Sequence, residues 1–299
     1  MKTAIVIDSS AYVPEALVKQ YHLVVINQPI LFGNHLYREG VDLTSTEFYE
    51  RLTKDKTVPT ASQVAMTEMQ NVFTKLASEG YQAAICFGIS SGLSGFISNL
   101  AAFAPSVKDL EVYTVDSKFA GAAEGNLALL AAELVARGYA VHDVLSKVED
   151  LQKATHFLLI VYNMRALSKT GRIVSRSPLM GAILGTRTIL TFNEAGRLEL
   201  VTNAHRMNRA FKKAKLRLDA DLQKQKTHVR ISVLDADNEE LSQQWSDELA
   251  QTYSQSVVET GKIGPFLGVH AGYKSMAIVW APDWRDMIED GQGQAKPKV

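Results

Sequence analysis

A single cysteine, Cys86, among 299 residues excludes a disulfide within the chain, and its place in an apolar run reads as a buried, inert thiol. Such a chain suits a reducing compartment, so a cytoplasmic protein is expected. An excess of one charge is also missing. Thirty-two basic residues face 32 acidic ones, so the molecule has no bulk attraction for nucleic acid or an anionic membrane, and any transient membrane contact must be local. No apolar run approaches the ~18 uncharged residues of a spanning helix; even "LALLAAELVA" carries Glu133. The short apolar stretch Ala4 to Ile7 falls short of a signal peptide. No H-x-x-x-H, C-x-x-C or carboxylate cluster stands out, so neither metal nor cofactor is expected.

What is present is ordinary for a folded globular chain, 46% hydrophobic and 21% charged. "TAIVIDSS", "LVVINQPILF", "YQAAICF" and "EVYTV" read as buried strands. Between them lie a helix beginning at Pro14, a helix with Thr44 and Glu47 at capping-box spacing, and a helix ending at Gly80. A mostly apolar helix ending at Gly138 follows. Strands alternating with helices predict an α/β unit over residues 1–150, with a mainly parallel sheet covered on both faces. Beyond it, "TRTILTF", the turn "NEAG" and "RLELV" predict a β-hairpin, followed by a basic helix, the strand "HVRISVL", a helix around Trp245 and the strand "KSMAIVWA". That mixture predicts an α+β unit over residues 151–285 with a mixed or antiparallel sheet. The polar residues 286–299 are expected to form a disordered tail.

The most informative stretch is "ICFGISSGLSGF", residues 85–96, where a strand runs into a knot of serine and glycine before a helix expected to open near Leu93. Free N–H groups at a helix start welcome an anion. Ser90, Ser91 and Ser94 add hydroxyls, while Gly92 and Gly95 allow close approach, so the turn suits a carboxylate or phosphate without lysine or arginine. A plain capped helix end is the other reading. "GISSG" also fits the nucleophile elbow, with Ser90, Asp235 and His270 in hydrolase order, but no HGGG-type segment supplies an oxyanion site. A second turn, "VPTASQV", sets Thr60, Ser62 and Gln63 before another helix. Two such ends at the carboxyl edge of one sheet would form the ligand crevice of an open α/β fold. His270, in the apolar "GPFLGVHAGY", is either a satisfied core histidine or a donor to an acidic head group. The basic helix places Arg206, Arg209, Lys213 and Arg217 on one face. That face is either solvated surface or a dock for an acidic partner, which Arg172 and Arg176 would extend.

In order along residues 3 to about 280, "AIVIDSSAYVP", "PTASQV", "SSGLSG", "VDSKFAGAAEG", "LSKTGRI", "ILTFNEAGRL" and "GVHAG" resemble the signature segments of the DegV family of bacterial fatty-acid-binding proteins, also called FakB. The resemblance implies a non-enzymatic carrier that holds one long-chain fatty acid in a buried tunnel. Its carboxylate would lie at Thr60, Ala61 and Ser62, at Ser91, Gly92, Ser94 and Gly95, and at His270. It further implies that a separate ATP-dependent fatty acid kinase phosphorylates the bound acid for phospholipid synthesis, docking near Arg172 and Arg206. Departures from the family pattern are Ala61 where a second threonine is usual, Val64 for proline, "HAGYKS" after the histidine, and Arg187-Thr188 for Lys-Pro.

Overall fold

The computed structural model describes residues 1–55, 57–164, 167, 172, 185–223 and 228–288. It opens with β1 (Thr3–Asp8), α1 (Glu15–Gln20), β2 (Val24–Ile26), β3 (Pro29–Phe32) and β4 (His35–Arg38). The expected single strand "LVVINQPILF" is therefore two. β2 pairs with β1, but the Gln28 N–H turns to the Ser9 hydroxyl (2.9 Å) and Pro29 has no N–H to give, so the ladder stops and β3 joins a different sheet. Then come α2 (Ser45–Lys54), β5 (Thr60–Ala61), α3 (Met66–Ser78), β6 (Ala83–Gly88), α4 (Phe96–Phe103), β7 (Glu111–Asp116), α5 (Ala122–Ala136) and α6 (Val141–Lys153). The capping box of α2 is formed on both sides, by Thr44 and Glu47.

Strands β2, β1, β6 and β7 make a parallel four-stranded sheet in that order. Strand alternation sends Ile5, Ile7, Ile85 and Phe87 to one face, against α5 and α6. Ala4, Val6, Ala84 and Cys86 go to the other, against α3 and α4. Both faces are covered, as a parallel sheet requires. Cys86 is buried, and its desolvation raises its pKa far above the range of a reactive thiol.

The chain then forms β8 (His156–Val161), β9 (Arg187–Phe192), β10 (Leu198–Ala204), α7 (Met207–Leu222), β11 (Val229–Asp235), α8 (Glu239–Thr252), β12 (Val257–Lys262), α9 (Pro265–Ala271) and β13 (Met276–Pro282). Six strands build the second sheet in the order β10-β9-β8-β13-β11-β12. It is mixed: β11 and β12 run parallel and the other pairs are antiparallel, including the expected β9–β10 hairpin. α7 and α8 cover one face through Phe211, Leu218 and Trp245. The other face, with Phe157, Leu159, Leu234 and Ala277, turns inward to pack with Ile30, Phe48, Ile89 and Phe266. β3, β4 and β5 form a small third sheet on that side. Of the segment expected to be a free tail, Asp286 meets His228 (2.9 Å) and Ile288 is buried; residues 289–299 lie outside the described residues, as does Arg176.

Candidate binding site

β6 delivers the chain to the serine turn, but α4 begins at Phe96, three residues later than expected. The backbone between is already engaged. Leu93 and Ser94 N–H both donate to the Ser90 carbonyl (2.9 and 3.1 Å), Ser91 N–H to Asp116 (3.0 Å) and Gly92 N–H to the Ser90 hydroxyl (3.2 Å). The amides of residues 91–94 are thus not the free anion donors the sequence suggested. Ser91 also turns its hydroxyl to Asp116 (2.5 Å). Burial raises the Asp116 pKa, yet its bonds from Lys118 and Ser91 outweigh that and hold it below the ordinary range.

Gly92 lets the hairpin pack on the turn. A Cβ there would sit 2.3 Å from the carbonyl oxygen of Gly196, in the β9–β10 hairpin turn, and one on Gly196 would sit 2.0 Å from the Ser90 hydroxyl. The hairpin lies directly on the serine turn. Ser90, fully buried, donates to the Gly196 carbonyl (2.7 Å). That geometry overturns the hydrolase reading: Asp235 accepts from Asn238 N–H (2.8 Å) and Lys262 (3.3 Å), and buried His270 Nδ1 makes no hydrogen bond. Neither of the two hydrogen bonds that would link a triad is made.

Next to this turn, between the inner face of the second sheet and the small sheet, lies a cavity of about 310 Å³. Its walls include Ile89, Phe157, Leu159, Phe192, Leu234 and Phe266. Among the described residues its polar lining is Ser62, Gln63, Ser94, Arg172 and His270. These converge by identifiable means. Ser94 accepts the Phe96 N–H (3.3 Å), which leaves its own hydroxyl proton to donate. Asn99 donates to the Gln63 amide oxygen (2.9 Å), and the Gln63 nitrogen lies 2.8 Å from where a Gly95 Cβ would stand. Arg172 donates from Nε to the Leu93 carbonyl (3.4 Å) and stands close enough to His270 to disfavour its protonation. Burial, reinforced by that guanidinium, lowers the His270 pKa to about 4, so the ring is neutral at pH 7.

Of the residues expected at the head group, Ala61, Ser62, Ser94, Gly95 and His270 line this cavity. Thr60, Ser91 and Gly92 do not. Thr60 is exposed, because strand alternation in β5 turns it away from the side Ala61 occupies. Arg172, expected only as a docking residue, is half-buried and faces the cavity, so the site contains an arginine after all. Arg206 is exposed just ahead of α7. Among the described residues, no group of three or more His, Cys, Asp or Glu is placed to hold a metal, and no helix is long and apolar enough to cross a membrane.

A parallel sheet joined to a larger mixed sheet and a small third one, with an apolar cavity between layers and hydroxyl, amide, imidazole and guanidinium groups at its wall, defines an α/β protein with an apolar pocket between its sheets. The model of the family described as "Uncharacterised protein, DegV family" matches residues 2–283. "Protein DegV" of Bacillus subtilis is 30% identical over 285 residues, 94% of this chain and 99% of the relative. The crystal structure of DegV from Bacillus subtilis, described as a fatty acid binding protein, superposes with a TM-score of 0.87 at 29% identity, over 94% of this chain and 99% of that one. A fatty acid binding DegV family protein from Streptococcus agalactiae gives 0.87 at 25% identity, over the same shares. The chain belongs to the DegV family.

Proposed function

We propose that the chain binds one long-chain fatty acid. The acyl chain fills the apolar cavity, which extends as a tunnel, and the carboxylate meets Ser94, Ser62, Gln63 and His270 with Arg172 beside them. The observation that carries this reading is the composition of the cavity wall, apolar among the described residues except for five polar side chains, four of them neutral at pH 7. At about 310 Å³ it falls at the small end of the ~300–1,000 Å³ range of small-molecule sites. Roughly 14 buried methylenes at ~0.8 kcal/mol each contribute about 11 kcal/mol gross. Association and chain ordering take back at least ~4 kcal/mol. The remainder suffices for micromolar or tighter binding, so the polar groups have only to orient the carboxylate.

The chain then acts as a cytoplasmic carrier and not as a catalyst, presenting the acid to a fatty acid kinase that docks on a surface including Arg206. Residues 1–150 supply the serine and threonine turns, and residues 151–285 supply the inner sheet and His270. Relatives that bear on this reading are the two DegV structures described as fatty acid binding. Titration of delipidated protein with oleate and palmitate tests it. Saturable one-to-one binding is expected; absence of saturation with either acid overturns the reading.

A further inference from the structure

His270 sits at the end of α9, a short helix with Pro265 at its start, and what holds that helix comes from the other end of the chain. Its first free amides are capped across the fold. Phe266 N–H donates to Glu39 Oε1 (2.7 Å), and Leu267 N–H donates to the Tyr12 hydroxyl (3.2 Å), which itself donates to the same Glu39 oxygen (3.0 Å). The Ser9 hydroxyl bonds the second Glu39 oxygen. Glu39 is anchored in turn: its N–H donates to the Gln28 carbonyl (3.0 Å), and its carbonyl accepts from Asn27 (2.8 Å). The approach is tight, since a Cβ on Gly264 would lie 2.3 Å from the Tyr12 ring and 3.0 Å from Glu39 Oε1. One turn along the helix, the Phe266 ring meets the His270 ring edge-on at 6.3 Å. Phe266, Leu267 and His270 all line the cavity.

We propose that Glu39 is the positioning residue of the head-group site, its carboxylate fixing α9 and therefore the His270 ring. This deepens the reading above and rests on it for the ligand. Glu39 does not itself line the cavity; it acts through the Phe266 amide and the Tyr12 hydroxyl. Its ionised form accepts three donors, whereas a protonated carboxyl is a weaker acceptor and must spend one oxygen on its own proton. The groups that face it are Ser9 and Tyr12 after β1, Asp8 at the end of β1, Glu124 in α5, Tyr49 in α2, and the α9 amides. Burial, its largest influence, raises the Glu39 pKa to about 7, and Asp8 adds to this against the bonds from Phe266, Ser9 and Tyr12. The grip on α9 is therefore stronger at pH 8 than at pH 6.

Two readouts test the assignment. Amide hydrogen exchange at Phe266 and Leu267, corrected for intrinsic rates, is measured in ligand-free protein, and oleate dissociation is measured in loaded protein, each at pH 6 and pH 8. Parent protein should show both processes about fivefold to tenfold faster at pH 6, the difference between a neutral and a charged acceptor. Glu39→Gln, which keeps an acceptor but no charge, should show the faster values at both pH values, and Glu39→Ala should be faster still. Retained pH dependence in Glu39→Gln would assign the effect to Asp8 or Glu124 and overturn the proposal, as would exchange at Phe266 and Leu267 that no Glu39 variant changes. A parent protein that shows the exchange pattern but holds no oleate would leave the latch in place and remove the fatty-acid reading alone.

Discussion

His270→Leu separates a ligand group from a packing group, because the two roles predict opposite changes in stability. In the ligand-free protein the buried Nδ1 has no hydrogen-bond partner, a condition that costs about 1–3 kcal/mol. Leucine approximates the volume and removes the orphan nitrogen, so the ligand-free variant should gain roughly 1 kcal/mol. Binding should move the other way. A hydrogen bond to a charged acceptor is worth about 1.5–3 kcal/mol, so oleate affinity should fall about 10- to 150-fold. Since the His270 pKa lies at about 4, the ring is neutral at both pH 6 and pH 8 and its own titration adds no pH dependence; the loss should be the larger at pH 8, where ionised Glu39 holds the ring in place. Urea unfolding and calorimetric titration of delipidated protein read the two quantities. Lower stability with unchanged affinity would show that His270 packs α9 and does not meet the head group.

Ser94→Ala should weaken oleate binding by about 1–2 kcal/mol through loss of one donor, measured by the same titration, with a further small loss of helix stability from the Phe96 amide it caps. Gly92→Ala should cost about 1–3 kcal/mol of unfolding free energy by overpacking against Gly196, read by urea denaturation. The buried carboxyl Glu39 has a folded pKa raised from 4.5 to about 7, so native protein keeps a proton that unfolded chain releases; its contribution is full below pH 4.5 and falls by about 3 kcal/mol as pH rises through 7. His270, lowered from 6.5 to about 4, has the reverse sign, and its contribution falls as pH drops from 6.5 to 4. Ligand-free His270→Leu should therefore lose stability between pH 4.5 and 7.5 more steeply than the parent, whereas Glu39→Gln, left with the His270 contribution, should gain stability as pH rises from 4.5 to 6.5. Arg206→Glu should slow phosphorylation of the bound acid by a fatty acid kinase at low salt while oleate affinity is unchanged; an unaltered rate would make the exposed α7 face solvated surface only.

Much of the fold was legible because local signals and tertiary demands agreed. The Thr44–Glu47 capping box, the β9–β10 hairpin and the alternation of strand and helix up to α5 all follow from residue type and period. The small sheet was not legible, since the break at Gln28–Pro29 depends on Ser9 capturing an amide from a distant segment. β12 was also missed: it is a partly exposed edge strand ending "ETGK", without a clear apolar alternation. At the site, Ser62, Ser94 and His270 were readable as hydroxyls before helices and as a histidine among glycines. What Ser91 and Gly92 do was not legible, since the Ser91 partner, Asp116, lies 25 residues away and the hairpin against which Gly92 packs lies about a hundred residues on. Gln63 and Arg172 carried a signal, in the threonine turn and in "GRI", but only the folded geometry turns them toward the cavity. Glu39 offered none, as an acidic residue after a short edge strand reads as surface.

Native mass spectrometry of the purified protein, followed by extraction and identification of any released molecule, tests the central claim most directly. The account predicts a co-purifying long-chain fatty acid at one per chain, replaced by added oleate or palmitate after delipidation. Protein that emerges without a ligand and takes up neither acid would contradict it.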